Sequence, residues 1–296
     1  MNGIGPQCNS DGPFRRAMRL HQSKWRASQN LAIGNDARDI PYGNYLTEPD
    51  AKAGRNFLSP EIYQLAEKRI SQGAGVEPFR CLHNLLSSQP MAFNLFGPLC
   101  QDKVLAQYLL DPLLPGGASE ARVTMEWAPA PRQAYLDDAS SFDVVIHYTT
   151  KAGDSAIAGI EVKLTEPFSP KRYGNNDRHT NRYLKVSSDP AIWTTPGEPA
   201  LSNSTWNQIW RTHLLAQSIR QAKDVTISTA VILHHSGDEK CGGAVKAYQK
   251  NLTPLGLGTL LHWTIGGLTA RWKQLLSARP EAEWLDRFSE RYPDPL

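Results

Sequence analysis

Two apolar segments that each contain charged residues constrain the fold of this chain more than any other feature of the sequence. Residues 142–148 (FDVVIHY) and residues 159–164 (GIEVKL) both have the composition of β-strands. Side chains alternate between the two faces of a strand, so Glu161 and Lys163 share one face of the second strand. An acid and a base therefore lie side by side among apolar neighbours.

The first strand carries an acid of its own. Alternation puts Asp143 on the face opposite to Phe142, Val144 and Ile146. Charged side chains between apolar neighbours are costly to bury unless they are paired or bind a metal ion. A hard divalent cation held between the carboxylates of Asp143 and Glu161 would balance their charge.

The spacing of these three residues matches a known pattern. Glu161 follows Asp143 by eighteen residues, and Lys163 comes after one further apolar residue, which resembles the Asp…Glu-x-Lys signature of the PD-(D/E)xK nuclease superfamily. The flanking residues and residues 206–215 are similar to a bacterial group of predicted restriction endonucleases, over about residues 45–290. The resemblance implies an α/β fold of the restriction-endonuclease type, in which helices flank a central mixed β-sheet.

The resemblance also implies a reaction. It is typical of Mg²⁺-dependent endonucleases that hydrolyse DNA phosphodiester bonds, with Mn²⁺ able to substitute. Asp143, Glu161 and the backbone carbonyl of Val162 would be the metal ligands, because Mg²⁺ takes few protein oxygens and keeps water molecules. Lys163 would either orient the attacking water or neutralise charge on the phosphoryl oxygens, and the sequence leaves both roles open.

A helix predicted over residues 205–222 adds a fourth catalytic candidate. Gln208 matches, by resemblance, the helical glutamine that approaches the catalytic centre in many members of the superfamily. The common pattern is Gln-x-x-x-Tyr, but residue 212 of this chain is Thr, which argues against an exonuclease-like role. An upstream acid often completes such sites. The sequence leaves four candidates for it: Glu48, Glu61, Glu67 and Glu126.

Basic residues after the signature suggest how DNA would be held. Residues 166–204 form a long irregular connection, and such connections are often functional. Lysine and arginine side chains bind phosphates without sequence preference, and interleaved tyrosines can stack on bases. The candidate nucleic-acid-binding residues are Lys171, Arg172, Arg178, Arg182 and Arg211. An ordinary solvated loop explains the same composition equally well.

The length of 296 residues fits one large domain with an addition. We expect a polar N-terminal extension (residues 1–44) and a nuclease-like domain (residues 45–296). A helix over residues 16–26 of the extension is expected to lie on the surface, where its arginines could contact a DNA backbone. The net charge of +3 permits nucleic-acid binding without arguing for it.

The expected compartment is the cytoplasm. The four cysteines are scattered and form no Cys-x-x-Cys pair, which suits a reducing environment. No segment approaches the roughly 20 apolar residues of a membrane helix, and the N-terminus lacks the apolar core of a signal peptide. We expect no membrane contact, DNA as the partner, and a homodimer as a natural way to cut both strands. A role in restriction or phage defence follows from the resemblance alone.

Periodicity and capping residues predict the remaining elements. Ser59 and Pro60 begin a helix, residues 151–155 form a hairpin loop between antiparallel strands, and residues 225–233 form a buried central strand. Further strands are expected at residues 123–127 and 260–265, and a C-terminal helix at residues 281–292. His234 and His235 are expected to end the central strand or to meet solvent.

Two other functions remain open. The chain could be a nucleic-acid-binding or regulatory module that keeps the nuclease fold without cleaving, although an intact Asp143, Glu161 and Lys163 argues against a decayed site. It could also be a hydrolase in which Asp143 and Glu161 act as an acid–base pair, as in glycosidases. Activity that survives a chelator would favour the glycosidase-like chemistry.

Overall fold

A computed structural model of the chain describes residues 3–169, 177–195 and 206–295, with side chains described in the second range from residue 181 onward. Within these ranges, none of the helices combines the length and the hydrophobicity needed to cross a lipid bilayer. The helices are α1 (Pro13–Ser28), α2 (Glu48–Lys52), α3 (Pro60–Ser71), α4 (Pro78–His83), α5 (Ser88–Gln101), α6 (Lys103–Leu110), α7 (Asp177–Ser187), α8 (Asn207–Gln221), α9 (Glu239–Gln249), α10 (Pro254–Leu257), α11 (Ile265–Leu276) and α12 (Ala282–Arg291).

Five strands among the described residues form one mixed sheet in the order β1-β2-β3-β4-β5. The strands are β1 (Glu120–Trp127), β2 (Phe142–Thr149), β3 (Ser155–Lys163), β4 (Ile227–His234) and β5 (Leu260–Thr264). The first three pair antiparallel, and β3, β4 and β5 pair parallel. The antiparallel pairing of the two signature strands and the α/β fold with a central mixed sheet are both confirmed.

The sheet separates two hydrophobic cores. Ile160, Val162 and Leu164 belong to the core under α3, α5, α6, α11 and α12. Ile157, Ala230 and Ile232 belong to the core under α7, α8 and α9. The strand alternation predicted for β3 is therefore confirmed, because Glu161 and Lys163 lie on the α8 face, opposite Ile160 and Val162.

One prediction from strand alternation is wrong. Phe142 packs in the same core as Val145, on the face opposite to Val144 and Ile146. Its ring lies over Gly159, where an added Cβ would come within 2.4 Å of the ring. The ladder between β2 and β3 ends at the pair Val144 and Ile160, so the regular alternation fails where the ladder ends.

The N-terminal helix is less exposed than the sequence suggests. Met18, Gln22 and Arg26 of α1 are fully buried, and the Gln22 amide donates to the Arg291 carbonyl at 2.8 Å. Arg26 Nε donates to the Gly43 carbonyl at 2.8 Å. The expectation of a surface helix is wrong for this face, because its polar groups satisfy backbone carbonyls of neighbouring segments.

Candidate active site

The first element of the candidate site is a contact between β2 and β3 at the point where their ladder ends. Asp143 Oδ2 accepts a hydrogen bond from the Val162 amide at 2.7 Å. This side chain takes the place of the backbone acceptor that the next ladder pair would have supplied. Asp143 is half-buried and is thereby held beside the strand that carries Glu161 and Lys163.

The second element is a polar cluster on the α8 face of the sheet. Glu161 Oε1 lies 2.8 Å from Lys163 Nζ, and both side chains are more than nine-tenths buried. Gln208, in the first turn of α8, donates to the same oxygen at 2.5 Å. The amide oxygen of Gln208 accepts from the Ser169 backbone at 2.7 Å, so Gln208 ties the chain after β3 to Glu161.

Glu126 completes the cluster from β1. Its side chain is 6% exposed and accepts from the Gln89 amide at 3.0 Å. Its backbone has φ +46°, a left-handed conformation that non-glycine residues rarely adopt, and Arg69 donates to its carbonyl at 2.6 Å. Such backbone outliers concentrate at functional sites. Of the four upstream acids, Glu48, Glu61 and Glu67 are exposed, and Glu126 is the one in the site.

The electrostatics of the cluster are those of crowded carboxylates. Burial raises the pKa of Asp143 well above its usual range, and the negative charges of Glu161 and Glu126 raise it further. Burial, with the Glu161 charge, raises the pKa of Glu126 to about 7. Burial disfavours the Lys163 ammonium, but the carboxylates of Glu161 and Asp143 outweigh burial and raise its pKa. The carboxylates of Asp143, Glu161 and Glu126 thus lie close enough to influence one another, and the Lys163 ammonium acts on the first two.

This donor set fits a hard divalent cation. Carboxylate oxygens are the protein ligands that Mg²⁺ prefers, and the ion keeps several water molecules. Asp143, Glu161 and the Val162 carbonyl are the candidate ligands. Across the described ranges, no group of three or more His, Cys, Asp and Glu side chains is arranged to hold a metal ion. Asp143 and Glu161 would therefore depend on the Val162 carbonyl, water or substrate oxygens to complete the coordination.

Helix α5 supports the site from the opposite side, which the sequence analysis did not foresee. Glu166 Oε1 accepts from the Ser88 amide at 2.8 Å and pairs with Arg80 at 3.3 Å. The next residue of α5, Gln89, is the one that binds Glu126. Burial disfavours the Glu166 carboxylate, but the Ser88 amide and the Lys163 charge prevail and lower its pKa. Glu166 stands three residues after the signature lysine; Gln89 has no comparable sequence signal.

The candidate nucleic-acid-binding residues differ in what the structure says of them. Lys171 and Arg172 lie outside the described residues, as does the Arg178 side chain in the first turn of α7. Arg182 is partly exposed and donates to the carbonyls of Gln133 and Tyr135. Arg211 is 9% exposed, and its Nε lies 3.4 Å from the Ser140 hydroxyl. Their role in binding DNA stays a prediction.

The two histidines at the end of β4 are buried rather than solvated. His234 Nε2 lies 2.6 Å from Nε2 of His262 on β5, and its Nδ1 lies 2.7 Å from the His235 carbonyl. His235 Nε2 lies 2.6 Å from the Pro293 carbonyl. Of the two expectations, the one that they end the strand is confirmed, since β4 ends at His234, and the one that they meet solvent is wrong. His234 is the sheet partner of Lys163, so His234 and its neighbour His262 border the candidate site.

Comparison with known proteins agrees with the geometry. The family model described as "PD-(D/E)XK nuclease superfamily" matches residues 9–294. No curated protein and no solved structure gives a significant match. The matched range includes β1 to β5, Asp143, Glu161, Lys163 and Gln208, and it extends into helix α1. The family match supports a phosphodiester hydrolase with a nucleic-acid substrate. The chain belongs to the PD-(D/E)XK nuclease superfamily.

Proposed function

We propose that this protein is a Mg²⁺-dependent endonuclease that hydrolyses phosphodiester bonds in DNA, with Mn²⁺ able to replace Mg²⁺. The observation that carries the proposal is the polar cluster at the place where β2 begins and β3 ends. Asp143 and Glu161 lie there beside a third carboxylate, that of Glu126, and the Lys163 ammonium contacts Glu161. A buried excess of negative charge is costly for folding alone, and a cation together with a phosphate substrate would balance it.

Each described residue of the cluster then has a role. Asp143, Glu161 and the Val162 carbonyl would hold the cation, which would lower the pKa of a bound water and stabilise charge on the phosphoryl group. Lys163, already charged through Glu161 and Asp143, would stabilise the phosphoryl oxygens or orient the attacking water. Gln208 would keep the Glu161 carboxylate in place through its 2.5 Å hydrogen bond. Hydrolysis forms one bond from water oxygen to phosphorus and breaks the bond to the leaving oxygen.

The wider setting is also proposed. Lys171, Arg172, Arg178, Arg182 and Arg211 are the candidates for DNA contacts. All four cysteines are free thiols, which suits a reducing cytoplasm. A homodimer would place two sites on the two strands of a duplex, and a role in restriction or phage defence would use such a cut.

The test is a cleavage assay with supercoiled, linear and single-stranded DNA in Mg²⁺, Mn²⁺ or EDTA. We expect cutting in either metal and none in EDTA. Asp143→Ala and Lys163→Ala should each lower the rate about 1000-fold, since several kcal/mol of transition-state stabilisation is lost. Asp154→Ala, at the far end of the same strand pair, is the control and should cut at the wild-type rate.

A second readout is independent of cutting. Mg²⁺ or Mn²⁺ at about 100 times its dissociation constant should stabilise the wild-type protein by about 2.7 kcal/mol, and should leave Asp143→Ala unchanged. DNA binding without cleavage in any metal, with both variants unaltered, would instead support the non-cleaving module. Cleavage that persists in EDTA would support an acid–base mechanism without metal.

A further inference from the structure

Three carboxylates of the candidate site stand in one row across three neighbouring strands. The register of β1 with β2 sets Glu126 opposite Asp143. The register of β2 with β3 ends at Val144 and Ile160, and one position further along it sets Asp143 opposite Glu161. Like charges that stand directly opposite each other destabilise a sheet. The row therefore needs contacts that hold its members together against their repulsion.

The sheet ladder itself is interrupted at this row. The pairs between β1 and β2 skip Glu126, whose backbone is left-handed and whose carbonyl accepts from Arg69. The pairs between β2 and β3 stop one residue short of Asp143, where a bond from the Val162 amide to the Asp143 side chain replaces them. Ladder bonds normally keep neighbouring strands about 4.8 Å apart. At the row, other contacts must set the spacing between β1 and the two strands beside it.

Glu166 connects the end of β3 to helix α5 through both of its carboxylate oxygens. Oε1 accepts at 2.8 Å from the amide of Ser88, the first residue of α5. Oε2 accepts from the amides of Thr165 and Leu164, at 3.2 and 3.4 Å. The free amides and the dipole at the start of a helix favour a carboxylate in this place. The segment directly after Lys163 is thereby fixed to α5.

Gln89, the next residue of α5, reaches β1. Its amide nitrogen donates to Glu126 Oε1 at 3.0 Å and to the Gly75 carbonyl at 3.4 Å. Its amide oxygen accepts from the Glu77 backbone at 3.2 Å, which fixes the direction in which the nitrogen points. A Cβ added to Gly75 would come within 3.1 Å of the other oxygen of Glu126. Both oxygens of this carboxylate therefore have close neighbours around the start of α5.

Helix α5 gives these contacts a firm support. Most of its 14 residues are buried, and they pack in the core between the helix and the sheet. Groups held by a well-packed helix keep their positions more precisely than groups on loops. Glu166, the Ser88 amide and Gln89 thus form a connection from the end of β3 to Glu126 of β1, which we call the α5 brace.

We propose that Glu166 and Gln89 are positioning residues, and that the α5 brace sets the spacing of the carboxylate row and thereby the affinity of the site for its divalent cation. Gln89 acts through Glu126, which it holds beside Asp143. Glu166 acts through the end of β3, which carries Glu161. This inference rests on the proposed function, and it adds that two residues outside the set of cation ligands determine how tightly the cation binds.

The physical reason is the repulsion within the row. The negative charges of Glu161 and Glu126 add to burial in raising the pKa of Asp143, so the three groups act on one another. In the absence of a cation, these groups lower their energy by moving apart. Ligands that are already held near their bound spacing lose less freedom when the cation binds, and this increases the affinity.

The first experiment titrates the full-length protein with Mn²⁺ alone, without DNA, and follows free Mn²⁺ by electron paramagnetic resonance. Gln89→Leu should raise the dissociation constant about 10-fold, which is the factor expected for one hydrogen bond to a charged group. Gln89→Ala, which adds no apolar bulk beside Glu126, should give the same change. Gln101→Leu, at the exposed end of the same helix, is the matched control and should bind Mn²⁺ like the wild type.

A double-mutant cycle distinguishes positioning from a general loss of structure. In a protein that already carries Glu126→Ala, Gln89→Leu should change the dissociation constant less than about 2-fold, because the partner of Gln89 is absent. A general loss of structure would instead give the same change with and without Glu126.

The second arm of the brace is examined in the same titration. Glu166→Gln should weaken Mn²⁺ binding about 5-fold, because an amide cannot accept from the amides of α5 and β3 with both of its ends. Added to Gln89→Leu, it should have little further effect, since either substitution already breaks the brace. If Glu166 acted only through its negative charge, the two effects would multiply, and its place in the brace would be overturned.

The outcomes separate this inference from the proposed function. Unchanged Mn²⁺ affinity in Gln89→Leu, or an equal loss with and without Glu126, would overturn the brace. If the wild type then still cuts DNA in Mg²⁺, the nuclease function stands without it. If Mn²⁺ affinity depends on Gln89 through Glu126 but no DNA is cut in any metal, the brace stands and the cleavage proposal fails. Absence of Mn²⁺ binding by the wild type would overturn both.

Discussion

Two buried groups of charged residues in this protein differ in how their charges are balanced. The terminal clamp consists of Trp25, Asn56 and Arg291, and it joins α1, the chain before α3 and α12. Arg291 is fully buried, donates to both oxygens of Asn56 and lies 4.1 Å from the Trp25 ring. The candidate active site instead groups three carboxylates with one lysine. The clamp contains one cation bonded to neutral oxygens, whereas the site contains anions that repel each other.

The difference shows which group serves the fold and which serves a ligand. Arginine has several donors in a rigid plane, so backbone and amide oxygens can balance it without a counter-charge. Crowded carboxylates cannot balance one another, and burial together with the neighbouring negative charges raises the pKa values of Asp143 and Glu126. A protein that keeps such a cluster buried is less stable than it would be without the cluster. Three experiments compare the two groups by measuring the free energy of unfolding and the cleavage rate.

The largest expected effect is on the clamp. Arg291→Met should lower the free energy of unfolding by about 3 kcal/mol, because the side-chain oxygen of Asn56 loses its donor inside the protein and the Asn56 carbonyl keeps only that of Asn94. Cleavage per folded molecule should be unchanged. Urea denaturation and a cleavage assay on the folded fraction measure the two quantities.

Arg287→Met is the control for this change. Arg287 is exposed on the same helix, and its substitution should alter stability by less than about 0.5 kcal/mol. A loss below about 1 kcal/mol in Arg291→Met would show that the clamp does not hold the termini together.

The second effect is a pH dependence of stability in the metal-free protein. The folded state raises the pKa of Glu126 from its usual value near 4.5 to about 7, so the folded state binds more protons than the unfolded state between these values. The contribution of Glu126 to stability is therefore complete below about pH 4.5 and is lost as the pH rises through about 7. In EDTA, unfolding free energy should fall by about 1–3 kcal/mol between pH 5 and pH 8.

Two variants isolate the Glu126 contribution. Glu126→Gln should remove much of the decline, and Glu120→Gln, which changes an exposed acid of the same strand, should preserve it. Stability that rises over this pH range in the wild type, relative to Glu126→Gln, would contradict the assignment of a crowded acid at this position.

The smallest effect concerns Gln208, which links the chain after β3 to Glu161. Gln208→Ala should leave stability within about 1 kcal/mol but lower the cleavage rate about 10-fold, since Glu161 would lose one of its two hydrogen-bond partners. Gln221→Ala, at the exposed end of the same helix, should have no effect on cleavage. An equal loss of activity in both variants would assign the effect to the helix as a whole.

The sequence predicted the sheet and most of its neighbours. Alternation and turn residues located β2, β3 and β4, and Ser59 caps α3 through the Ile62 amide as expected. Helices α9 and α11 were not predicted. Each has a pair of glycines within its first five residues, which disfavours a helix, and each is stabilised instead by a side-chain cap, from Asp238 and Thr264.

The residues of the candidate site were likewise predicted only in part from the sequence. The triad and Gln208 follow from spacing and resemblance, and the structure brings Glu161, Lys163 and Gln208 into direct contact. The choice of Glu126 among four upstream acids required the fold. It depends on a left-handed residue inside β1 and on Gln89 of α5, which is far from Glu126 in sequence.

The sequence by itself determined where the strands lie along the chain. It also determined that Glu161 and Lys163 share one face of β3, because side-chain alternation is a local property of the backbone. Only the tertiary structure decided the face of Phe142, the burial of the N-terminal helix and the third carboxylate of the site. These depend on where a ladder ends and on contacts between segments distant in the chain, and no local pattern contains that information.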